Sequence, residues 1–350
     1  MKHIEFQISI LIITICSACS IKQEKTNDFK DIVYIKRLDT IYYCPDLLGP
    51  VTGMDSKDSI LIIKHALDDY HFSFFNLNKK KMIGRWGEIG AGPEQFSQIG
   101  NSMSISNDSL TFQDIAKQEL NYIAISDLLS NHNIDNKHLV IKKKEYSYNK
   151  YFRPFKIYAA NKQWITVGAF SSGYIKMINS KKEIIESNTT EYPFICDKIQ
   201  NLYKGSTFQT QVKPNEKIKK FVHTFNASDI FEIYEFSDST LRRTYINNFS
   251  YPPKTKYSGG QFRLDAVNSI AGFIGCTVSE NIICFLYSTN DYLTATSSKE
   301  ILCYDWNGNK LKKYILPTNV CNICLVNQKV YATIEEDNSL TIVNFEISYP

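Results

Sequence analysis

The stretch Gly84–Phe96 reads GRWGEIGAGPEQF, the densest cluster of glycines in the chain, with Gly87, Gly90, Gly92 and Pro93 falling within seven residues. Two readings compete for it. A phosphate-cradling loop opens a helix behind a strand: the dinucleotide fingerprint is G-x-G-x-x-G inside a βαβ unit, and the Walker loop ends in Gly-Lys-Ser/Thr. Here the order is GxxGxGPxxF, no Gly-Lys-Ser/Thr follows, and the next segment, SQIGNSMSISNDSLTFQD (97–114), has the pattern of a strand. The stretch therefore reads as an architectural corner. It leaves one apolar strand (KKKMIGRW, 79–86) and enters the inner strand of the next unit. Glycine permits the positive φ expected of such a crossing, and Pro93 with Phe96 is expected to fix and anchor it.

Outward from this corner the chain repeats. Six segments alternate apolar residues and end in Asn, Asp or Ser: FSFFNLNKK (72–80), LNYIAISDLL (120–129), GYIKMINSKK (173–182), IFEIYEFSDS (230–239), KEILCYDWNGN (299–309) and SLTIVNFEI (339–347). Each is preceded by another short apolar segment: DSILIIK (58–64), DSLTFQD (108–114), QWITVGAF (163–170), KKFVHTFN (219–226), ENIICFLY (280–287) and QKVYATIE (328–335). The first set reads as the third strands of four-stranded blades and the second set as the strands before them. Polar pairs such as Asp58-Ser59 and Asn327-Gln328 are expected to make the tight turns between the two. Six anchors imply about 55 residues per unit, more than a regular propeller blade and in keeping with an irregular one. No long amphipathic helix emerges; AISDLLSNHNIDNKHL (124–139) carries only a brief helical pattern. A lone four-stranded sheet cannot bury both faces, whereas radially arranged blades bury each against its neighbours. The predicted fold is all-β, a single six-bladed β-propeller over 31–350, closed where DIVYIKRLDTIYY (31–43) completes the blade made by the last strands.

Composition agrees. Of 350 residues, 43% are hydrophobic and 22% charged, enough for a large core and unlike a disordered chain. The 22 tyrosines and 21 phenylalanines favour sheet. A net charge of +4 gives no basic stripe for a nucleic acid, and the lysine runs at 79–81 and 142–144 read as solvated turns beside strand ends.

The first residues, MKHIEFQISILIITICSACS, pair Lys2 with a short apolar core, Ile8 to Ile15, too brief to span a bilayer. Ser17-Ala18 directly before Cys19 resembles a bacterial lipobox, although Cys16 stands where leucine is usual. Residues 1–18 are thus expected to be a lipoprotein signal peptide, Cys19 the lipid-bearing residue, and 19–30 a polar tether. The expected location is outside the cytoplasm. Ser20 lacks the aspartate that often retains lipoproteins in the inner membrane, which favours the outer one and leaves its face open. The mature chain keeps seven cysteines besides Cys19, an odd number. Cys321-x-x-Cys324 lies in a β-like stretch without a second CxxC, so buried apolar thiols are expected rather than a redox or zinc pair.

With the corner, the repeat and the lipobox together, the chain resembles the TolB-like six-bladed propeller lipoproteins of Bacteroidetes, and WGEIGAGPEQF resembles the inter-blade signature of NHL-type propellers. The sharp motif occurs once; FSYPPKTKYSGGQF (249–262) keeps Gly259, Gly260, Gln261 and Phe262 as a degenerate echo. The resemblance implies a fold and no shared catalytic residues.

Candidate sites are sparse. His65-x5-His71 with Asp68 and Asp69 reads as a solvated hairpin rather than a ligand set, His223 as a hydrogen-bonded core residue, and His132 and His138 as loop residues. Glu335, Glu336 and Asp337 are placed in an exposed turn. No G-x-S-x-G elbow and no H-E-x-x-H occurs, and no catalytic residue, metal site or cofactor is predicted. The longest irregular stretch, 187–217, offers Tyr192, Phe194, Tyr203 and Phe208 either as a groove for carbohydrate or peptide or as fastenings onto the disc. A second insertion, 250–269, carries Arg263 and Asp265. Three functions stay open: a non-catalytic envelope lipoprotein binding a protein partner or small ligand, an extracytoplasmic glycan lyase or lactone hydrolase, and a purely structural component. They are separated by whether inward side chains of the inner strands form a polar, charged cluster or an inert plug.

Overall fold

The computed structural model describes residues 26, 28–45, 49–66, 69–92, 95–130, 142–145, 152–194, 196, 199, 201–208, 210–336 and 339–348. Six sheets are arranged as blades. The first holds Val51–Lys57, Ile60–His65, Tyr70–Asn76 and Lys81–Glu88; the second Ile99–Ser106, Ser109–Asp114, Glu119–Ala124 and Lys142–Glu145. The third holds Phe152–Ala160, Gln163–Phe170, Ile175–Ile178 and Ile184–Glu186; the fourth Thr210–Asn215, Lys220–Phe225, Phe231–Phe236 and Leu241–Ile246. The fifth runs Ile270–Val278, Ile283–Asp291, Ser298–Tyr304 and Lys310–Val320, and the sixth Asn322–Val326, Lys329–Glu336 and Ser339–Glu346. All six anchor segments are third strands and all six preceding segments are second strands.

The blades close into a ring because every boundary has its own apolar core. Phe72, Trp86, Phe96 and Phe112 join blades one and two, and Leu120, Ile157 and Trp164 join two and three. Tyr158, Phe225 and Tyr234 belong to the three–four boundary, and Phe231, Phe273 and Phe285 to four–five. Leu316, Ile323 and Phe345 join five and six, while Leu61, Phe75, Leu340 and Ile342 seal six against one. Fully burying side chains of this size contributes roughly 1.5–3 kcal/mol each.

Ring closure divides the N-terminal segment. Asp39–Cys44 pairs antiparallel with Ser339–Glu346 and completes blade six. Ile32–Tyr34, expected in that same blade, instead adds to the rim of blade five, parallel to Lys310–Val320 with Ile32 opposite Lys313. The reason is apolar: Val33, Ile35 and Leu38 pack on the core between blades five and six, which draws the chain across the seam. Further upstream, within 19–30, Thr26 and Phe29 are buried. Thr26 Oγ donates to Asp229 Oδ2 at 2.6 Å, and Phe29 meets the Tyr304 ring edge-on at 5.3 Å.

The polar pairs also act one turn earlier than expected. Asp58-Ser59, Asp108-Ser109, Glu280-Asn281 and Asn327-Gln328 lie between first and second strands, not between second and third. At Asn107-Asp108 (φ 46° and 58°) and Asn161-Lys162 (47° and 66°) both central residues are left-handed, the turn whose twist suits a two-residue hairpin.

The corner at 89–98 does join blade one to blade two. Phe96 is 1% exposed and wedged between Trp86 of blade one and Phe112 of blade two, with ring centroids 5.3 and 5.0 Å away. Its N–H donates to Glu88 O, and its carbonyl accepts from Gly90 N and from His71 Nε2. The glycines serve a different purpose from the one expected. Neither Gly90 nor Gly92 is left-handed; a Cβ on Gly90 would stand 2.0 Å from Gln95 Oε1, the atom that accepts from Gly92 N–H. The Gln95 amide, not backbone handedness, is what a side chain at either position would meet and have to displace; the left-handed glycine is Gly87 (φ 81°). Lys117 Nζ donates to Gly92 O and Gln95 O, tying the corner to blade two. Pro93 lies outside the described residues. The echo at Gly259-Gly260 is no such corner: both are left-handed and turn the hairpin Thr255–Ser258/Gln261–Leu264.

Candidate functional site

Inner strands of all six blades face the axis, and their side chains decide whether it is a plug or a site. A cavity of about 150 Å³ lies there, lined from blade one by Met54 and Lys64, from blade three by Lys156, from blade four by Lys213, and from the others by Met103, Cys276 and Asn322. Its lining is therefore charged. Lys213 Nζ crosses from blade four to blade one and meets Asp55 Oδ2 at 2.7 Å and Met54 O at 3.4 Å. Burial pushes the Lys213 ammonium down, but Asp55, aided by the nearby Cys324 and Cys276 thiols, reverses this and leaves its pKa raised. Lys64 and Lys156 behave differently. Burial lowers each to about 8, and for Lys64 the charge of Lys156 adds to the effect.

The channel thiols are not nucleophiles. Burial pushes Cys324 up to about 12 and Cys276 higher still, against the opposing pull of Lys213. Cys321 is raised to about 11 by burial, with Glu335 adding to it. Cys321 and Cys324 form no disulfide, and neither do Cys276, Cys284 and Cys303.

A second polar cluster sits between blades three and four. Glu232 Oε1 accepts from Tyr174 Oη (2.7 Å) and Arg243 Nη1 (2.6 Å); Glu232 Oε2 accepts from Tyr234 Oη (3.0 Å) and faces His223 Nδ1 (3.0 Å). The residue types suit acid–base chemistry. Burial raises the Glu232 carboxyl, yet His223, Arg243 and Tyr174 overcome that and hold it below the usual range; burial holds His223 below its ordinary value despite Glu232. Glu232 and His223 are both 0% exposed, so no substrate atom reaches either. The cluster is an interface clasp.

The remaining candidates take structural places. His65 and His71 are buried rather than solvated: His65 lies between Gly49 O and Ser73 Oγ, and His71 holds the Phe96 carbonyl. Glu335 is half-buried, accepts from Val51 N–H at 3.4 Å and has its pKa raised by burial, correcting its placement in an exposed turn; Glu336 is exposed. His132, His138, Asp68 and Asp337 lie outside the described residues. In the stretch 187–217, Phe194 and Phe208 enter the three–four core with Tyr192 packed against it, which leaves only Tyr203 exposed. That stretch is also less irregular than expected, holding the short helix Asn201–Thr207 and the inner strand of blade four. Asp265 is engaged with Lys256 at 3.1 Å. Among the described residues no group of three or more His, Cys, Asp or Glu is placed to hold a metal ion.

Sequence reasoning missed the channel lysines. Their signal is a charge inside an otherwise apolar strand, as in ILIIK (60–64), PFKIYAA (154–160) and QVKPN (211–215), but only the ring shows that the three face one axis.

The described family of TolB-like 6-blade propeller-like proteins matches residues 38–328. The chain belongs to that family. This TolB-like propeller also resembles solved structures. A Bacteroides fragilis protein described as exported superposes with a TM-score of 0.56 at 13% identity, over 89% of this chain and 95% of that one. A member of the duf4221 family from Bacteroides vulgatus gives 0.49 at 10% identity, over 90% of this chain and 99% of that one. At 13% identity the first likeness is one of fold. No functionally curated protein matches the sequence of this TolB-like propeller.

Proposed function

We propose that this TolB-like propeller is a non-catalytic binding protein of the cell envelope that takes a small ligand in its axial channel. One observation carries the reading: polar and charged side chains from separate blades turn into a single cavity of about 150 Å³ instead of filling it with apolar groups. Cavities of that volume accept a molecule the size of benzene, so the ligand is small. The closed state of the Glu232 cluster supports binding without turnover, because an enzyme needs its acid and base within hydrogen-bond reach of substrate.

The envelope part of the proposal rests on the lipobox at Cys19. Thr26 and Phe29 are held on blades four and five, which supports a short connection between lipid and disc. Thr26 stands seven positions after Cys19, and at ~3.5 Å per step that stretch reaches about 25 Å at most. The rim between blades four and five would then lie nearest the outer membrane.

Binding is tested by calorimetric titration of the detergent-solubilised full chain against a panel of small anions, sugars and amino acids. Saturable 1:1 binding that Gly53→Phe abolishes is expected, since a Cβ at Gly53 points at Met103 and Lys64 beside the cavity. Saturable binding that survives this block would place the ligand elsewhere; no binding from any class would overturn the reading.

A further inference from the structure

Resting on the envelope reading, in which a lipid at Cys19 anchors the chain, we infer that the hairpin Thr255–Ser258/Gln261–Leu264, with Tyr251 and Leu293 beside it, lies on the bilayer surface. Topology fixes the face. Successive strands of a blade are antiparallel, so the turn between its second and third strands and the crossing from its fourth strand to the next blade fall at the same end. Asp229, in such a turn of blade four, the crossing 247–269 from blade four to five, and the turn 292–297 of blade five therefore share one face. Hydrogen bonds tie them together. Tyr251 N donates to Asp229 Oδ1 at 2.7 Å, and Ser269 accepts from Lys254 N on its hydroxyl and from Tyr292 N on its carbonyl.

The anchored end of the chain arrives at the same spot. Thr26, seven positions after Cys19, is held by the Asp229 carboxylate that also takes the Tyr251 amide. A hairpin of four-residue strands is ~13 Å long at ~3.3 Å per residue. That falls within the ~25 Å that the tether spans from Thr26 at full extension.

The hairpin belongs to none of the six blades, and all its strand residues except Phe262 and Leu264 are exposed. Two strands alone in water are marginal, and Phe262 roots these by packing on the core between blades three and four. Its cross-strand partner Tyr257 meets that ring at 5.2 Å and is 66% exposed. A Cβ on Gly260 would meet nothing within 4 Å, so the tip stands clear of the disc. Tyr251, Val267 and Leu293 are exposed as well. Among charged side chains on these segments, Lys254, Lys256 and Arg263 are exposed against Asp265 and Asp291, and Asp265 is mostly covered and engaged by Lys256 at 3.1 Å. An aromatic body with a polar tip, flanked by cations, suits the headgroup layer of an anionic bilayer. The tether favours a bilayer over a protein partner, because it holds this face beside the membrane at high effective concentration, where weak contacts suffice.

The test places the lipidated full chain, purified from membranes, in vesicles of phosphatidylcholine and phosphatidylglycerol with chain-brominated lipid as quencher. Trp86, Trp164 and Trp306 are buried, so Tyr257→Trp adds one exposed reporter. Ile184→Trp is the control: it is exposed too, but it opens the fourth strand of blade three, at the opposite face. The added emission of Tyr257→Trp is expected to shift to the blue and to be quenched on the order of twofold more than that of Ile184→Trp, as an interfacial aromatic is. If both variants float with the vesicles and are quenched equally or not at all, the surface inference is wrong and the lipid anchor stands. If Tyr257→Trp is shielded from aqueous iodide yet untouched by brominated lipid, a protein or a second copy covers the hairpin, and the inference is again wrong. If the protein carries no labelled palmitate and does not float, the anchor reading falls and the inference with it.

Discussion

Lys213 and Asp55 meet at 2.7 Å across the propeller axis, the first from the inner strand of blade four and the second from the inner strand of blade one. Their side chains are only 16% and 15% exposed, so each is the other's compensation for lost water. Removing one partner from such a pair leaves a buried charge, which costs about 3–5 kcal/mol, whereas replacing both by apolar groups of similar size is near neutral. Asp55→Asn is therefore expected to lower unfolding free energy by about that amount, and Asp55→Leu combined with Lys213→Met to recover most of it. Urea denaturation of the three proteins checks this; equal losses in the single and double variants would mean that the axial bridge is not what the stability depends on.

The Glu232 clasp predicts the acid response. Glu232 and His223 both have folded-state pKa values below their ordinary ones, 4.5 and 6.5. A depressed value means that the unfolded chain binds the proton more readily, so the stabilisation is present above the ordinary value and is lost as pH falls through the folded one. Stability should fall in two stages, beginning just under pH 6.5 as unfolded His223 takes up its proton and steepening below 4.5 as Glu232 follows. His223→Gln should remove the first stage and shrink the second, because His223 is among the groups that hold the Glu232 carboxyl low. Melting curves from pH 7.5 to 4 read this directly, and a profile that rises on acidification would contradict it.

Phe96→Ala should cost about 3–5 kcal/mol, the usual loss for a truncated core aromatic, because it opens a cavity between Trp86 and Phe112 at the first blade boundary. His71→Ala should cost less, about 1–2 kcal/mol, because the buried Phe96 carbonyl loses one of its two donors and keeps Gly90 N–H. Nucleotides should leave the melting temperature unchanged, since the glycines at this corner hold Gln95 and not a phosphate. A nucleotide-dependent rise would reopen the ligand reading of the stretch.

How far the sequence carried the fold follows from which forces were local. Short apolar stretches marked the second and third strands of every blade, because neighbouring blades pack on both faces and bury most of each strand. Edge elements were harder. Ile32–Tyr34 was placed in the wrong blade because its partner, Lys310–Val320, lies some 280 residues on, and nothing in IVY distinguishes a parallel rim strand from an antiparallel one. Gly90 and Gly92 were found for the wrong reason: only three-dimensional contact reveals the Gln95 amide lying against them. The site was least legible. Lys64, Lys156 and Lys213 stand far apart in sequence, each a lone charge in a strand, and acquire meaning only when the ring turns them toward one axis.

The anchor gives the last prediction. Cleavage before Cys19 leaves a lipidated N-terminal cysteine seven residues from Thr26, whose hydroxyl is held by Asp229 between the Ser250 and Tyr251 amides. One acyl chain binds a bilayer only marginally and stable anchoring takes more than one, so loss of the cysteine should release the protein outright and not merely weaken its hold. Cys19→Ser is expected to incorporate no labelled palmitate and to leave the membrane fraction, with its melting temperature unchanged because Thr26 and Phe29 stay docked. Asp229→Ala should do the reverse: it keeps the label and the membrane fraction but loses about 1–3 kcal/mol, since the buried Thr26 hydroxyl and the Ser250 and Tyr251 amides lose their acceptor. Label and membrane retention in Cys19→Ser would refute the lipid assignment; equal fractionation of both variants would show that docking of the strap, and not the lipid, decides where the protein resides.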